Sequence, residues 1–252
     1  MATILPHGQT GTDAAPHPHD HVDFAARSGG EVDMIMGERR ATPAWAAVVL
    51  AGGRGRRLGG VDKPALLLGG RTLLDTALAA CAEAAQTVVV GPTRPTQAMQ
   101  PGRAVQWTQE SPAGSGPLAA LSAGVAELSA DIAAVVVLAA DLPAVDTATV
   151  ERLLVALDGS NVDAVAVADG TGHVQSLLAA YRLPALRRAL DTVGEVRGVP
   201  MRSLLDHVTL ATIPNEGRAA DDIDTPQDLA RWIRRHVDSE VDHGEVEDPG
   251  DS

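Results

Sequence analysis

A glycine-rich, positively charged segment near residue 50 constrains the fold of this chain more than any other feature. Five glycines fall between Gly52 and Gly60, three arginines lie among them, and Lys63 closes the segment. An apolar run, Ala46 to Leu50, precedes it, and a helical pattern of apolar residues begins at Leu73. Because glycine exposes backbone N–H groups and fixed cations attract anions, this order of strand, loop and helix predicts a polyphosphate-binding site.

Two common phosphate-binding loops do not fit this segment. A Walker loop ends in Gly-Lys-Ser/Thr, whereas Lys63 follows Asp62 and precedes Pro64. The dinucleotide fingerprint G-x-G-x-x-G would begin at Gly53, but Leu58 stands where its third glycine belongs. The segment therefore belongs to neither class.

The segment resembles the signature of nucleotidyltransferases that join a nucleoside triphosphate to a phosphorylated acceptor, L-A-G/A-G-x-G-x-R-M/L-G-x-x-K. Within that superfamily it is most similar to the molybdenum cofactor guanylyltransferases, through Gly52-Gly53, the run Arg57 to Gly60 and the close Val61 to Lys63. The resemblance implies an α/β fold: a three-layer sandwich with a mainly parallel sheet, of the nucleotide-diphospho-sugar transferase (Rossmann-like) type. The alternation of strand-like and helix-like segments after Ala44 independently predicts such a sheet.

The chain divides into three parts by pattern and charge. Residues 1–43 lack apolar periodicity and are predicted to be a disordered extension, and residues 238–252 are predicted to be a disordered acidic tail with seven acids and no Lys or Arg. Residues 44–237 form the predicted nucleotidyltransferase domain, with 20 acidic and 17 basic residues. This near-neutral domain has neither the excess of basic residues that is typical of nucleic-acid-binding proteins nor a basic membrane-binding face.

Composition excludes several other classes. Hydrophobic residues make up 45% of the chain but aromatics only 2%, so we expect a core of Ala, Val and Leu. Cys81 is the single cysteine, which excludes an internal disulfide and a multi-cysteine zinc site. The longest apolar run, Ile132 to Ala140, is too short to span a membrane, and the N-terminus has no signal-peptide pattern. We therefore expect a cytoplasmic protein.

An aspartate follows the most apolar strand of the chain. The run Ala133 to Ala139 delivers Asp141 at its carboxyl end, which is where ligands bind in open parallel sheets. A carboxylate there can hold Mg²⁺ against phosphate oxygens. Asp141 could instead begin a turn before Pro143 or cap a helix. The resemblance favours the metal, because the matching aspartate in the family binds it.

Three further motifs carry candidate site residues. A second glycine-rich loop, Glu110 to Pro117, opens a helix with Ser115 as the expected N-cap, and it resembles the family's G-P-L-A-G-L segment. His173 matches a family histidine at the molybdopterin pocket, although a lone loop histidine is often only solvated. Asp224 precedes the helix start Thr225-Pro226, which a simple capping role would also explain.

The resemblance implies a reaction and a role for each candidate. GTP and molybdenum-bound molybdopterin would give the guanine dinucleotide cofactor and pyrophosphate, with molybdoenzymes as possible recipients. Matched by position, the family's site residues correspond to four sets of residues in this chain: a catalytic set, a nucleotide-binding set, the ligands of a Mg²⁺ ion, and an acceptor-binding residue. The catalytic group is Arg57, Lys63 and Asp141, the nucleotide-binding group is Leu50, Ala51, Gly52, Gly53, Lys63, Glu110 and Asp141, the metal ligands are Asp141 and Asp224, and the acceptor residue is His173.

Other activities stay open at this stage. The chain could instead be another nucleotidyltransferase: a molybdopterin cytidylyltransferase, a 2-phospholactate guanylyltransferase or a sugar-phosphate nucleotidyltransferase. A nucleotide-binding regulator without turnover is a further alternative, although Lys63 and Asp141 are both intact. The family's guanylyl members tend to carry glycine at the position of Gly52, which favours GTP over CTP.

Overall fold

The computed structural model of the chain describes most of residues 44–241 and a short strand upstream. The described residues are 22–23, 44–52, 60–97, 104–169, 171–216, 218–223 and 225–241, with backbone alone for 22–23 and 235–241. Gly53, Arg57 and Asp224, three of the predicted site residues, lie outside them.

Ten strands and six helices alternate along the described chain. The strands are β1 (Val22–Asp23), β2 (Trp45–Leu50), β3 (Leu67–Leu68), β4 (Arg71–Thr72), β5 (Gln86–Val90), β6 (Val105–Thr108), β7 (Ala134–Ala139), β8 (Ala164–Ala168), β9 (Val174–Arg182) and β10 (Leu210–Pro214). The helices are α1 (Leu73–Ala80), α2 (Pro117–Ala126), α3 (Thr147–Asp158), α4 (Leu183–Val193), α5 (Arg202–Leu205) and α6 (Pro226–Val241), and a short 3-10 helix covers Lys63–Ala65.

Eight of these strands form one sheet in the order β6-β5-β2-β7-β9-β8-β10-β1. β9 runs antiparallel to its neighbours β7 and β8, and the other pairings are parallel. Since β2 lies between β5 and β7, the carboxyl ends of these three strands meet at one edge. The predicted α/β fold with a mainly parallel sheet is confirmed, and β3 and β4 form a separate hairpin beside it.

Helices cover both faces of the sheet, which gives the expected three layers. One apolar cluster joins alternate strand residues such as Val49 and Val136 to α1 and α3. A second joins the opposite residues, such as Val48 and Val137, to α2, α4 and α5. All six residues of β2 are buried because both of their faces are covered. In the described residues the core is built mainly from Ala, Val and Leu, as the composition predicts, and Tyr181 is its largest fully buried side chain.

Side-chain caps fix the starts of three helices. The hydroxyl of Thr72 accepts from the Asp75 N–H at 3.0 Å, and Asp146 accepts from the Thr149 N–H at 2.8 Å. Thr225 and Asp228 form a reciprocal pair before α6, which confirms the helix start predicted there.

The predicted N-cap of α2 is wrong by one residue. Gly116 occupies that position with a φ of 101°, a left-handed conformation that favours glycine over serine. The Ser115 hydroxyl instead donates to the Pro112 carbonyl at 2.5 Å and ties the preceding loop together.

The two ends of the chain contribute more regular structure than the sequence predicts. β1 pairs with β10 at one edge of the sheet, within the segment expected to be disordered. At the other end α6 continues to Val241, four residues past the predicted domain limit. The division at residues 43 and 237 otherwise stays a prediction.

Candidate active site

The first strand of the domain ends beneath a large cavity. Leu50 is buried at the end of β2, and the Ala51 N–H donates to the Val90 carbonyl at 2.9 Å, which joins the ends of β2 and β5. Gly52 follows at the surface of the cavity. Among the described residues beyond its chain neighbours, the heavy atom nearest to a Cβ added at Gly52 would be the Val90 carbonyl oxygen, 4.0 Å away. The backbone at Gly52 is therefore open to a ligand.

The cavity has a volume of about 930 Å³ and lies at the carboxyl edge of β2, β6 and β7. This volume falls at the upper end of the range found for small-molecule sites. Its walls combine predicted site residues with others that the sequence did not single out. Predicted residues in the wall are Leu50, Gly52, Lys63, Glu110, Asp141 and His173, and polar residues beyond these are Gln109, Gln175, Ser176 and Asp222.

Lys63 and Asp141 form an ion pair on the wall of this cavity. The Nζ atom of Lys63 lies 3.5 Å from Oδ2 of Asp141, and the two side chains are 15% and 25% exposed. Lys63 begins the short 3-10 helix whose Pro64 is buried, so the lysine backbone is anchored next to the sheet. Asp141 follows β7, and its carbonyl accepts from the Ile223 N–H at 3.2 Å. Two residues that are 78 positions apart in sequence thus meet at one point, with opposite charges on the cavity wall.

Glu110 lines the cavity from the loop before α2. Its Oε1 atom accepts from the Gly114 N–H at 2.8 Å, which fixes the side-chain direction. Its Oε2 atom is buried and has no hydrogen-bond partner among the described residues. A buried carboxylate oxygen without a donor is costly, so a ligand that supplies N–H groups would be favoured there.

A tight turn positions His173 at the mouth of the cavity. The Oδ1 atom of Asp169 accepts from the Thr171 hydroxyl, the Thr171 N–H and the His173 N–H at 2.6, 2.9 and 3.0 Å. These hydrogen bonds, that of the Thr171 hydroxyl above all, hold the pKa of Asp169 below its usual value. The imidazole of His173 itself is exposed and lines the cavity.

The strand after His173 is bulged where it meets the cavity. Ala166 of β8 pairs with Ala179 of β9, but the next residue, Val167, pairs with Gln175. The three intervening residues, 176–178, have no partner on β8, and the Tyr181 hydroxyl donates to the Ser176 carbonyl at 3.0 Å. The bulge brings Gln175 and Ser176 into the cavity wall. Sequence patterning alone gives no sign of this shift.

Asp222 is the acidic residue from the segment before α6 that the structure places in the cavity wall. The sequence analysis chose Asp224, because it precedes Thr225-Pro226, and that residue lies outside the described ones. Ile223, between them, is buried and donates its N–H to Asp141. The signal that could have found Asp222 is the apolar Ile223 after it, because a buried residue at that position lets the preceding Asp222 side chain face the cavity.

The carboxylates of the cavity fit a hard divalent cation. Mg²⁺ binds proteins through one or two carboxylates and completes its shell with phosphate oxygens and water. Asp141 and Asp222 supply that donor set, and the described residues contain no cluster of three or more His, Cys, Asp or Glu suited to a closed metal site. The chemistry of these two carboxylates fits a divalent metal whose remaining ligands come from water or a bound phosphate.

Cys81 takes no part in this site. It is buried in the core beside α1, and burial raises the pKa of its thiol to about 12. Cys81 is therefore a small core residue.

The family described as the MobA-like NTP transferase domain matches residues 47–211, which include the named residues of the cavity wall except Asp222. The chain belongs to this family. It is a nucleotidyltransferase, and the resemblance found in the glycine-rich segment is confirmed.

Similar proteins support the same assignment. The chain is 38% identical over 157 residues to a protein from Acidiphilium cryptum (strain JF-5) named molybdenum cofactor guanylyltransferase, a match that covers 60% of this chain and 75% of that protein. Molybdopterin-guanine dinucleotide biosynthesis protein A from Archaeoglobus fulgidus has a similar structure, with a TM-score of 0.60, 23% identity, and coverage of 77% of this chain and 99% of that one. The 2-C-methyl-D-erythritol 4-phosphate cytidylyltransferase from Thermus thermophilus aligns with a TM-score of 0.54, 22% identity, and coverage of 75% and 97%. The two structures show the shared nucleotide-diphospho-sugar transferase fold.

Two further findings concern the predicted metal and the prediction that no segment spans a membrane. Nucleotidyltransferases of this kind normally use a divalent metal, which agrees with the donor set of the cavity. Among the helices that the structure describes, none has the length and apolar character that crossing a membrane requires.

Proposed function

We propose that this protein transfers GMP from GTP to molybdenum-bound molybdopterin and releases pyrophosphate. The observation that carries the proposal is the Lys63–Asp141 pair beside Gly52, at the carboxyl edge of the sheet. A cation suited to phosphate and a carboxylate suited to a metal thus lie together on the wall of a cavity of about 930 Å³. The name of the relative from Acidiphilium cryptum supports the choice of reaction.

The chemistry needs no general base from the protein. The terminal phosphate of the acceptor is an oxyanion at neutral pH, and one of its oxygens attacks the α-phosphorus of GTP. The bond from the α-phosphorus to the bridging oxygen breaks, and that oxygen leaves with pyrophosphate. The protein contributes positioning and charge neutralisation, which are the main sources of rate in phosphoryl-type transfer.

Lys63 is the residue we assign to the triphosphate. Its side chain is only 15% exposed, so its charge acts in a partly desolvated setting where it is less screened than on an open surface. Arg57, in the part of the glycine-rich segment outside the described residues, is proposed as a second cation for the same group. Gly52, with Leu50, Ala51 and Gly53, is proposed to run along the nucleotide.

Asp141 and Asp222 are the residues we assign to Mg²⁺, and Asp224 stays a predicted third. When bound, the ion would neutralise charge on the phosphate oxygens. Asp141 is the better fixed of the two described carboxylates, since it follows a central strand and its carbonyl is bonded to Ile223.

Glu110 is the residue we assign to base selection. Guanine presents an N1–H and an exocyclic amino group on one edge, and these are the donors that an unpaired carboxylate oxygen accepts. Cytosine lacks a ring N–H on the matching edge. The buried Oε2 atom therefore favours GTP, provided that the base lies against this loop.

The acceptor is proposed to bind at the opposite wall, which His173 and the β9 bulge form. His173, Gln175 and Ser176 offer hydrogen-bonding groups of the kind that a polar pterin and its phosphate require. The product would then pass to molybdoenzymes in the cytoplasm, which are the proposed recipients.

A substrate panel tests the proposal. The purified protein is given GTP or CTP with molybdopterin, molybdenum-bound molybdopterin, 2-phospholactate or a sugar phosphate, and pyrophosphate release is followed in the presence of Mg²⁺. We expect turnover with GTP and the molybdenum-bound acceptor, and its loss in Lys63→Ala. Preference for CTP, or for an acceptor without a pterin, would overturn the proposed substrates, and absence of turnover with every pair would overturn the proposed activity.

A further inference from the structure

Arg94 joins the two ends of the glycine-rich segment. It lies in the turn after β5, where the sequence shows only a proline-rich connection. Its Nε and Nη2 atoms donate to the two carboxylate oxygens of Asp62 at 2.8 and 2.6 Å, and its Nη1 atom donates to the carbonyl of Ala51 at 2.9 Å. Ala51 immediately precedes Gly52, and Asp62 immediately precedes Lys63. One guanidinium therefore bonds to both sides of the loop that carries the predicted phosphate-binding groups.

These contacts should hold Arg94 more firmly than an ordinary surface ion pair would. The Arg94 side chain is only 11% exposed, although Asp62 is 50% exposed. Two parallel N–H to carboxylate hydrogen bonds fix the plane of the guanidinium, and the carbonyl contacts to Ala51 and to Pro92, at 2.9 Å, use its remaining edge. A lysine could not make this set of contacts at once, because its ammonium group lacks the planar fork.

The turn that carries Arg94 is itself held in place. The Gly91 N–H donates to the Thr108 carbonyl at 2.9 Å, and the Gln97 N–H donates to Asp75, a buried carboxylate of α1, at 2.8 Å. Gly91 has a φ of 145°, and a Cβ added there would lie 2.8 Å from the carbonyl atoms of Ala51. The turn thus packs directly on the end of β2, so Arg94 starts from a fixed backbone.

We propose that Arg94 is a positioning residue, which holds Ala51 and Asp62 at a fixed separation and thereby sets the place of Lys63 before a nucleotide binds. This inference rests on the proposed role of Lys63 at the triphosphate. Arg94 acts through the backbone on either side of the loop, and its own charge is met by Asp62. Because Lys63 follows Asp62 directly, a loop end that moves by an ångström moves the lysine with it, and such shifts cost catalysis heavily.

The test is a double-mutant cycle between Arg94 and Lys63. Affinity for inorganic tripolyphosphate with Mg²⁺ is measured by calorimetry for the full-length chain and for Arg94→Ala, Lys63→Ala and the double variant. This probe carries neither base nor acceptor, so its result stands whether or not GTP and molybdopterin are the substrates. We expect Arg94→Ala to weaken binding by about tenfold in the parent and to have little effect once Lys63 is absent.

Two further variants separate positioning from folding. Asp62→Asn removes the charge and one of the two acceptor oxygens from a half-exposed residue, and we expect the same direction of change with an unaltered melting temperature. Arg94→Lys keeps the charge, and we expect kcat to fall by about tenfold or more while far-UV circular dichroism is unchanged. The control is Arg187→Ala, which removes a partly buried arginine bonded to the Leu128 carbonyl, beyond the far end of α2, and should leave binding unchanged.

An equal loss of tripolyphosphate affinity on Arg94→Ala with and without Lys63 would overturn the proposal, since a residue with a merely structural role would act independently of the lysine. Full activity in Arg94→Lys would overturn it as well. A double-mutant cycle that shows coupling while the GTP and pterin panel fails would retain the role of Arg94 and reject only the proposed substrates.

Discussion

Asp141→Asn separates a role in metal binding from a role in the fold. The substitution keeps the size of the side chain and removes its charge. In the structure this also removes the negative charge that lies 3.5 Å from Nζ of Lys63. Both side chains are partly exposed, so we discount the ion pair for solvent screening to at most about 1 kcal/mol of stability. For a domain of this size that corresponds to a shift of roughly 2–4 °C in the melting temperature.

The expected effect on catalysis is much larger. Loss of one preorganised electrostatic group typically costs about 2.7–4 kcal/mol in the transition state, which lowers kcat by about a hundredfold to a thousandfold. The two magnitudes differ enough that activity and stability should separate in a single variant. A variant whose melting temperature falls by no more than about 4 °C, and whose rate is reduced by at least about a hundredfold, is the expected result.

The assay measures pyrophosphate release over several decades of Mg²⁺ concentration, with saturating nucleotide and acceptor. If Asp141 binds the ion, the Mg²⁺ concentration for half-maximal rate should rise as kcat falls. Asp191→Asn, at an exposed position on α4, is the matched control and should change neither quantity. A fall in kcat of less than about tenfold would refute the reasoning from electrostatics. A large fall with an unchanged Mg²⁺ requirement would instead show that Asp141 acts through Lys63 and does not bind the metal.

Three more predictions follow from the same structure. Gly52→Ala should leave the melting temperature unchanged, since the added methyl group would lie 4.0 Å from the Val90 carbonyl oxygen, its nearest neighbour among the described residues beyond the adjacent ones. It should shift the GTP to CTP ratio of kcat/KM toward CTP by at most about 200-fold in competition assays. Gly124→Ala should destabilise the fold by about 1–3 kcal/mol in urea unfolding, because its Cβ would lie 2.6 Å from Val48 where α2 packs on the sheet. Asp169→Ala should raise the KM for the acceptor severalfold without changing the KM for GTP, because the carboxylate orders the turn that positions His173. The pKa of Asp169 is lowered in the folded protein, so the carboxylate stabilises this turn fully above the ordinary aspartate pKa of about 3.9. The turn should loosen only as the pH falls through the lower pKa of the folded state. A change of the acceptor KM between pH 6 and 8 that arises from this turn would contradict the role given to Asp169.

The sequence predicted the parts of the site that depend on local pattern. A fully apolar strand followed by Gly52 and another followed by Asp141 both end at the carboxyl edge of a parallel sheet, so their proximity follows from topology once the strands are known to be parallel. The Thr225–Asp228 helix start is equally local, and it was predicted correctly. The position of Lys63 follows from the glycine-rich signature that it closes, since the chain has to return to the sheet there before α1 begins.

The parts that were missed depend on contacts between distant residues. Arg94 lies 32 residues from Asp62 and 43 from Ala51. Nothing within a window of the sequence marks it as more than one arginine in a proline-rich turn. The β9 bulge could not be predicted either, because a register shift depends on how two strands pair and is not visible in the sequence of either strand. The N-cap of α2 was missed for a different reason: the left-handed conformation at Gly116 outweighs the general preference for serine at that position.

The Lys63–Asp141 contact also explains how the proposed site can keep two opposite charges without a large cost. A lone lysine or a lone carboxylate, each less than a third exposed, would be partly desolvated without a partner, and each holds the other instead. On the proposed function, a metal–triphosphate brings both signs of charge to the same wall: its phosphate oxygens suit Lys63, and its cation suits Asp141. Binding would then exchange one set of opposite charges for another, with no charge left unpaired at any stage. A substrate without the metal would satisfy the lysine and repel the carboxylate. On this proposal the pair would discriminate against the free nucleotide, so the Mg²⁺ dependence of Asp141→Asn, more than its rate alone, tests how this site works.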